Sequence, residues 1–403
     1  MKRGISVFFV ILSMLSIFTT LITFSGNQKS IKVFANDNIE SLLVESKSAY
    51  LIDFDSGVEM YKKDELEHKT IASMCKIMTL NLCFDAIKEN KFNFDTEIKV
   101  SKRASQMGGS QVFLEANANY KAYDLIKSIV VASANDSSVA MAEYIAGSEE
   151  NFVSLMNEKA KSLNMENTNF VNATGLPKEG QYSCAKDVAI MLKELIKNPK
   201  YFEFSTIWLD YINHSGGRHT EMANTNKLIK YYSGCDGGKT GYTTESGFCL
   251  AATANRDGMR LISVVIDAPT SKARFKSTSN LFNFGFENYT SKLVIDSSCP
   301  LDLEVKIENG KQNSIKVKAV NSFKATRLKT EKIAIESEFI PKENLKAPIN
   351  IGDIVGSIVV YKNGVSIGEV LVESIESVCQ KTYFDIVFIF SIGKIDLLWY
   401  NHR

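Results

Sequence analysis

Three short motifs, in one order along the chain, constrain this sequence more than any other feature. They are Ser73-Met-Cys-Lys76, Ser133-Ala-Asn135 and Lys239-Thr240-Gly241. The first two patterns recur elsewhere by chance, whereas Lys-Thr-Gly occurs once, so the ordered set carries more information than its parts. Sixty residues separate Ser73 from Ser133, and 106 separate Ser133 from Lys239. These intervals leave room for a layer of helices between a first helix and a late strand.

The first motif pairs a hydroxyl with an amine. Ser73 and Lys76 are three residues apart, so on a helix they face the same way and the amine can reach the hydroxyl. A serine needs a base, and Lys76 can be that base only if burial and the charge of Lys239 lower its pKa. The alternative is a helix N-cap at Ser73 and a solvated Lys76. No triad context surrounds the histidines, which are His68, His214, His219 and His402.

Around these motifs the chain resembles the D-alanyl-D-alanine carboxypeptidases among the low-molecular-mass penicillin-binding proteins. The resemblance covers nearly the whole chain, and its characteristic stretches are 71–79, 107–111, 131–136, 172–176 and 236–242. The same ordered triple occurs in class A β-lactamases. Two residues depart from the family pattern: Cys75 stands where a small or hydroxyl residue is usual, and Gln181 where His is common. Neither replaces a motif residue.

The resemblance implies a role for each motif residue. Ser73 would attack the substrate, Lys76 would act as base, and Ser133 would relay a proton between Lys76 and the leaving group. Asn135 would hold the substrate's amide. Ser133 and Asn135 are expected at a break between two helices, and helix punctuation is the alternative explanation for this motif.

The third motif is expected to bind the substrate along a strand edge. We expect Lys239-Thr240-Gly241 to enter the strand that ends at Leu250, with Gly241 allowing the substrate backbone to approach closely. By the resemblance, Thr240 and Arg274 would bind the terminal carboxylate. The oxyanion hole would use the backbone N–H groups of Ser73 and of either Tyr242 or Thr243.

Hydrophobic periodicity predicts an α/β (α+β) fold, and the resemblance implies a β-lactamase/transpeptidase-like sheet with an inserted helical subdomain. A hairpin at 50–61 precedes the Ser73 helix, and Ser148 is a predicted N-cap. Alternating runs from 303 to 372, one of them at 333–335, predict a small all-β domain without a catalytic constellation. The predicted helices are 122–132, 137–145, 151–163, 183–196 and 273–284, and the predicted catalytic-domain strands are 248–254 and 259–266.

The N-terminal end of the chain predicts export, and the C-terminal end predicts contact with a membrane. Lys2 and Arg3 precede an apolar run and a small-residue site at Ala35, which predicts a signal peptide at 1–35. An uncleaved membrane span is the alternative. Aromatic and aliphatic residues crowd 383–400, within a predicted membrane-interface anchor at 378–403; a helix docked on the protein is the alternative. The remaining boundaries are a catalytic domain at 36–290 and a β domain at 291–377.

Charge and cysteine content exclude several other classes. Forty-seven basic and 46 acidic side chains leave a net charge of only +1. The chain therefore has no excess of positive charge to attract nucleic acid, which is not an expected partner. The seven cysteines show no metal-site or disulfide-framework spacing, so we expect buried free thiols. The motif residues require no metal or organic cofactor.

These features together predict an exported serine D-alanyl-D-alanine carboxypeptidase that trims peptidoglycan stem pentapeptides and is acylated by β-lactam antibiotics. The alternatives are a β-lactamase of the same fold and a non-catalytic protein that binds peptidoglycan or senses penicillin. The added β domain and the apolar C-terminal segment disfavour the first alternative. The intact triple disfavours the second.

Overall fold

The computed structural model describes residues 42–383 and residue 385. The predicted signal peptide lies outside these residues, as does the segment 383–400 apart from Tyr383 and Asp385. Within the described ranges, no helix is both long and apolar enough to cross a bilayer.

Helices and strands alternate in blocks along the chain. The helices are α1 (Lys76–Lys88), α2 (Lys102–Ser105), α3 (Ala122–Val131), α4 (Asn135–Ala146), α5 (Glu149–Ser162), α6 (Ala185–Leu195), α7 (Tyr201–Ser205), α8 (Leu228–Tyr231) and α9 (Ser271–Asn288). The first nine strands are β1 (Ser48–Asp53), β2 (Glu59–Lys63), β3 (Glu97–Lys99), β4 (Asn119–Lys121), β5 (Leu209–Asn213), β6 (His219–Ala223), β7 (Cys235–Thr243), β8 (Gly247–Arg256) and β9 (Met259–Ala268). The remaining strands are β10 (Tyr289–Ile295), β11 (Glu304–Lys306), β12 (Ser314–Ala319), β13 (Phe323–Leu328), β14 (Ile335–Pro341), β15 (Ile354–Lys362) and β16 (Val365–Ser374).

A five-stranded antiparallel sheet, in the order β2-β1-β9-β8-β7, forms the centre of the first region. Strand β9 has apolar side chains on both faces, and helices cover both faces. Ile262 and Val264 join one core with α6, whereas Leu261 and Val265 join another with α9. This two-residue alternation between cores is the geometry of a strand buried on both sides. The predicted sheet with helical layers is therefore confirmed.

The inserted helices pack into the first of these cores, and the five predicted helices are all present. Ser148 caps α5 as predicted, since its Oγ accepts a hydrogen bond from Asn151 N at 3.1 Å. The helix predicted at 273–284 extends to Asn288 as part of α9. Two placements are corrected. Ser73 lies in a 3-10 turn, Ala72–Cys75, that precedes α1, and the Lys239 triplet lies on β7 rather than on the strand that contains Leu250.

The second region is all β, as predicted. Strands in the order β11-β12-β16-β15-β14 form one sheet, and β10 pairs with β13 in another. Val317, Val360 and Val372 are fully buried in its separate aliphatic core. The run predicted at 333–335 belongs to a strand that begins only at Ile335. The β10–β13 pair was missed because its polar residues show no clean alternation and its partners are distant in sequence.

The cysteines are all unbonded, as expected for free thiols, and all seven fall in the described part of the chain. Five are buried, whereas Cys299 and Cys379 are exposed. The expectation of burial therefore fails for these two, because both lie in surface segments of the β region rather than in an apolar helix or strand.

Candidate active site

The Ser73 turn places its hydroxyl against a buried amine. Lys76 Nζ lies 3.0 Å from Ser73 Oγ and donates a second hydrogen bond to the backbone oxygen of Thr174 at 2.6 Å. Lys76 is the first residue of α1 and is fully buried. Ala72, just before the serine, has a φ of 45°, a left-handed value that is costly for a residue with a side chain. The turn therefore holds the serine in a position that an ordinary helix start would not provide.

Two lysines of the motifs are buried close to each other. Burial lowers the pKa of Lys76 to about 7, against the opposing influence of Cys75 and Asp136. Burial also holds the pKa of Lys239 well below its usual range, and the charges of Lys76 and Arg274 lower it further. A Lys76 amine of this kind can be neutral near pH 7 and can accept a proton.

The second motif fills the break between α3 and α4, as predicted. Ser133 has a φ of 63°, and its hydroxyl is buried without a hydrogen-bond partner among the described residues. Asn135 donates from Nδ2 to Gly108 O at 2.7 Å, while its Oδ1 is likewise buried and unpartnered. Buried polar atoms are rarely left unsatisfied in folded proteins. These two atoms are therefore available to a ligand, although no direct hydrogen bond joins Ser133 to Ser73 or Lys76.

Strand β7 runs along the Ser73 turn and forms one edge of the main sheet. A Cβ atom at Gly241 would lie 2.6 Å from Ile71 O and 3.3 Å from Ser73 N, so only glycine fits there without displacing the turn. Lys239 Nζ donates to Thr240 O at 3.2 Å, and Thr240 is buried. The third motif thus meets the first.

Arg274 lies in the first turn of α9 and is buried beneath the β7–β8 hairpin. Its Nη1 donates to Gly241 O at 3.1 Å and to Cys249 O at 3.3 Å, whereas its Nε lacks a partner in the described structure. The guanidinium stands 4.7 Å from the centre of the Phe275 ring. Burial lowers its pKa to about 10, which leaves it charged at neutral pH.

Thr174 is a site residue whose role the sequence analysis missed. Its carbonyl reaches Lys76 because Asn172 Oδ1 accepts the N–H groups of Thr174 at 3.1 Å and Gly175 at 2.7 Å, which forms a tight turn. Gly175 has a φ of 80°, and a Cβ there would come within 2.0 Å of Ala72 O. The stretch 172–176 was part of the family resemblance. Asn172 and Gly175, three residues apart, were the sequence signal that could have predicted this turn.

The role of Asp136 was also missed in the sequence analysis. Its carboxylate holds the segment that contains Val112 and Leu114, next to the second motif. Its buried carboxylate accepts backbone N–H groups from Val112 and Leu114, both at 3.1 Å, and from Ser137 at 2.9 Å. Burial raises its pKa above the usual value while these hydrogen bonds oppose the rise. The residue after Asn135 therefore fixes the segment that covers the second motif. Within the described residues, no cluster of His, Cys, Asp or Glu could hold a metal ion.

Comparison with known proteins places this geometry in a family. A sequence model for D-alanyl-D-alanine carboxypeptidase matches residues 35–270, and one for the C-terminal domain of penicillin-binding protein 5 matches residues 289–380. D-alanyl-D-alanine carboxypeptidase DacF of Bacillus subtilis is 41% identical over 82% of this chain and 84% of its own length. D-alanyl-D-alanine carboxypeptidase DacC of Escherichia coli is 29% identical over 89% of this chain and 91% of its own.

A solved structure resembles most of the chain. Penicillin binding protein 5 from Haemophilus influenzae is 28% identical, with a TM-score of 0.69, over 84% of this chain and 98% of its own. The family model spans the three motifs, and the fold brings the first and third of them into contact at the Ser73 turn. The chain belongs to the D-alanyl-D-alanine carboxypeptidase family.

Proposed function

We propose that this chain hydrolyses the terminal D-alanine from peptidoglycan stem pentapeptides through an acyl-enzyme on Ser73. The observation that carries the proposal is the fully buried Lys76 amine 3.0 Å from Ser73 Oγ. Family membership supports the reaction class, and the three motifs support the residue roles.

Acylation begins with proton transfer from Ser73 to neutral Lys76 as Oγ attacks the penultimate carbonyl. The Thr174 carbonyl accepts one amine hydrogen at 2.6 Å and so directs the nitrogen lone pair toward the serine. Ser133 then carries the proton from Lys76 to the departing D-alanine nitrogen. Water hydrolyses the resulting ester and returns Ser73 to its free form.

The substrate's extended backbone lies along the open edge of β7, where Gly241 allows a close approach. Thr240 and Arg274 bind the terminal carboxylate, Lys239 adds positive charge beside it, and Asn135 holds the amide of the acyl portion.

The oxyanion hole combines the N–H groups of Ser73 and Tyr242. Thr243 was the alternative to Tyr242, but its N–H already donates to Ser246 Oγ at 2.9 Å. Successive N–H groups of a strand point to opposite edges, so that of Tyr242 is directed toward the free edge.

Two measurements on the full mature protein test this function. The first is D-alanine release from diacetyl-Lys-D-Ala-D-Ala, and the second is the lifetime of a fluorescent penicillin adduct on a gel. A carboxypeptidase releases D-alanine and keeps the adduct for a long time. Rapid penicillin turnover without D-alanine release would identify a β-lactamase, and an adduct without D-alanine release would identify a penicillin-sensing protein.

The domain boundaries and the location of the protein belong to the same proposal. A catalytic domain at 36–290 follows a signal peptide at 1–35 and precedes a β domain at 291–377, and the protein acts outside the cytoplasm. The segment 378–403 then attaches it to the membrane surface.

Truncation before Lys381 tests the attachment, because the proposed site residues lie between positions 73 and 274, in a separate region. The truncated protein should leave the membrane fraction and keep its rate on a small soluble peptide. Full-length mature protein that does not bind liposomes would contradict the attachment, and loss of peptidase activity on truncation would indicate a docked helix instead.

A further inference from the structure

An exposed phenylalanine next to the second motif is held in a strained conformation. Phe113 has a φ of 58°, in the left-handed region that bulky residues avoid, and 56% of it is exposed. Burial of this side chain does not explain the strain, because the ring is largely exposed. Strained residues that the surrounding structure fixes are found mainly at functional sites.

Three hydrogen bonds hold the backbone at and around Phe113. The N–H groups of its neighbours Val112 and Leu114 donate to the Asp136 carboxylate, and its own carbonyl accepts from Arg218 Nη2 at 2.9 Å. The side chains of Val112 and Leu114 are buried, while that of Phe113 is directed to solvent. These hydrogen bonds therefore hold the backbone that carries the ring in one position at the protein surface.

The segment that displays this ring also touches the second motif directly. Asn135 Nδ2 donates to Gly108 O, and Asn135 N donates to Ser110 O, both at 2.7 Å. Under the proposed function, the terminal carboxylate binds at Thr240 and Arg274, so the part of the substrate that extends past Asn135 is the acyl side. Phe113 lies three residues after Ser110 in the segment that contacts Asn135.

We propose that Phe113 is a specificity-determining contact for the residue that precedes D-Ala-D-Ala in the substrate. An uncharged aromatic ring favours an aliphatic chain, and the methylenes of a lysine-like side chain can lie against it while the polar end stays in water. The inference rests on the proposed function and adds to it a preference at the third stem position.

The test compares two soluble peptides, diacetyl-Lys-D-Ala-D-Ala and acetyl-Gly-D-Ala-D-Ala, with the full mature protein. Phe113→Gly removes the ring at a backbone conformation that glycine adopts freely, so the strain is relieved rather than increased. The ratio of kcat/KM for the lysine peptide to that for the glycine peptide should fall about fivefold or more, the scale of a lost apolar contact.

Asn117→Gly is the matched control, because Asn117 is another left-handed residue of the same loop, with a φ of 65°. It should leave the ratio at the wild-type value. If Phe113→Gly lowers both rates by the same factor, or changes neither, the side chain is not a specificity contact. If the wild-type protein releases D-alanine from neither peptide, the proposed function fails first and this inference fails with it.

Discussion

The two regions of this molecule treat buried charge in opposite ways. The first region buries Lys76, Lys239, Asp136 and Arg274, and burial shifts the pKa of each. The described residues of the β region, 289–383 and 385, bury no ionisable side chain; their buried polar residues are Thr326, Ser357 and Ser374. Aliphatic side chains such as Val317 and Val360 fill its core instead.

This difference separates residues kept for chemistry from residues kept for packing. Burying a charge is costly unless its surroundings compensate, so a region gains no stability from a buried unpaired lysine. Such a lysine is useful when a lowered pKa makes it a base. We therefore expect substitutions at buried charges to change activity, and substitutions in the β core to change stability alone.

The largest effect is expected from Ser73→Ala, which removes the proposed nucleophile. D-alanine release and fluorescent penicillin labelling should both be lost while the circular dichroism spectrum is unchanged. Ser183→Ala is the control, because Ser183 begins a second Ser-x-x-Lys pattern. Its Oγ lies 2.8 Å from Thr168 Oγ1, so its hydroxyl is paired with a threonine. That variant should still be labelled, and labelling of Ser73→Ala would show that the nucleophile is another residue.

Lys76→Arg should lower the acylation rate by at least ~10²-fold, the usual scale for a missing general base. Arginine keeps the charge but cannot lose its proton near neutral pH. Stopped-flow acylation with a penicillin measures the effect. Lys88→Arg, an exposed change in the same helix, should react at the wild-type rate. A near-normal rate in Lys76→Arg would mean that the position acts only as a fixed charge.

The pH profile should follow the Lys76 amine. The pKa of about 7 means that the neutral, base-competent form is lost as pH falls below 7, so acylation should slow about tenfold per pH unit there. Above that pH the rate should level off. The acylation rate constant measured between pH 5 and 9 gives the profile, and a rate that is flat down to pH 5 would contradict a lysine base.

The smallest effect on catalysis is expected in the β core. Val360→Ala removes a fully buried side-chain portion, which should lower the free energy of unfolding by about 2 kcal/mol. Val365→Ala, at a 65% exposed position of the adjacent strand, should change it by less than about 0.5 kcal/mol. Urea unfolding measures both. The rate on a small peptide should stay at the wild-type value in each, and a loss of activity would break the contrast between the regions.

Local patterns were sufficient to predict much of the fold. Helical periodicity located five helices, and the Ser148 cap was visible because a serine precedes two glutamates at the start of a helix. Strand pairing was harder to predict. Tyr289–Ile295 pairs with Phe323–Leu328, and neither segment contains a local signal for a partner some 30 residues away.

The same contrast between local patterns and long-range contacts applies to the proposed site. The sequence by itself determined the Ser73–Lys76 pair and the motif order, because these depend on residue type and on positions along the chain. The need for glycine at position 241 was decided by the tertiary structure, because a Cβ there would lie 2.6 Å from Ile71 O. Only the tertiary structure decided that Thr174, 98 residues from Lys76, supplies the second hydrogen bond to the amine. It also decided the burial that lowers the pKa of Lys76, because a pKa depends on everything packed around a group and not on its neighbours in sequence.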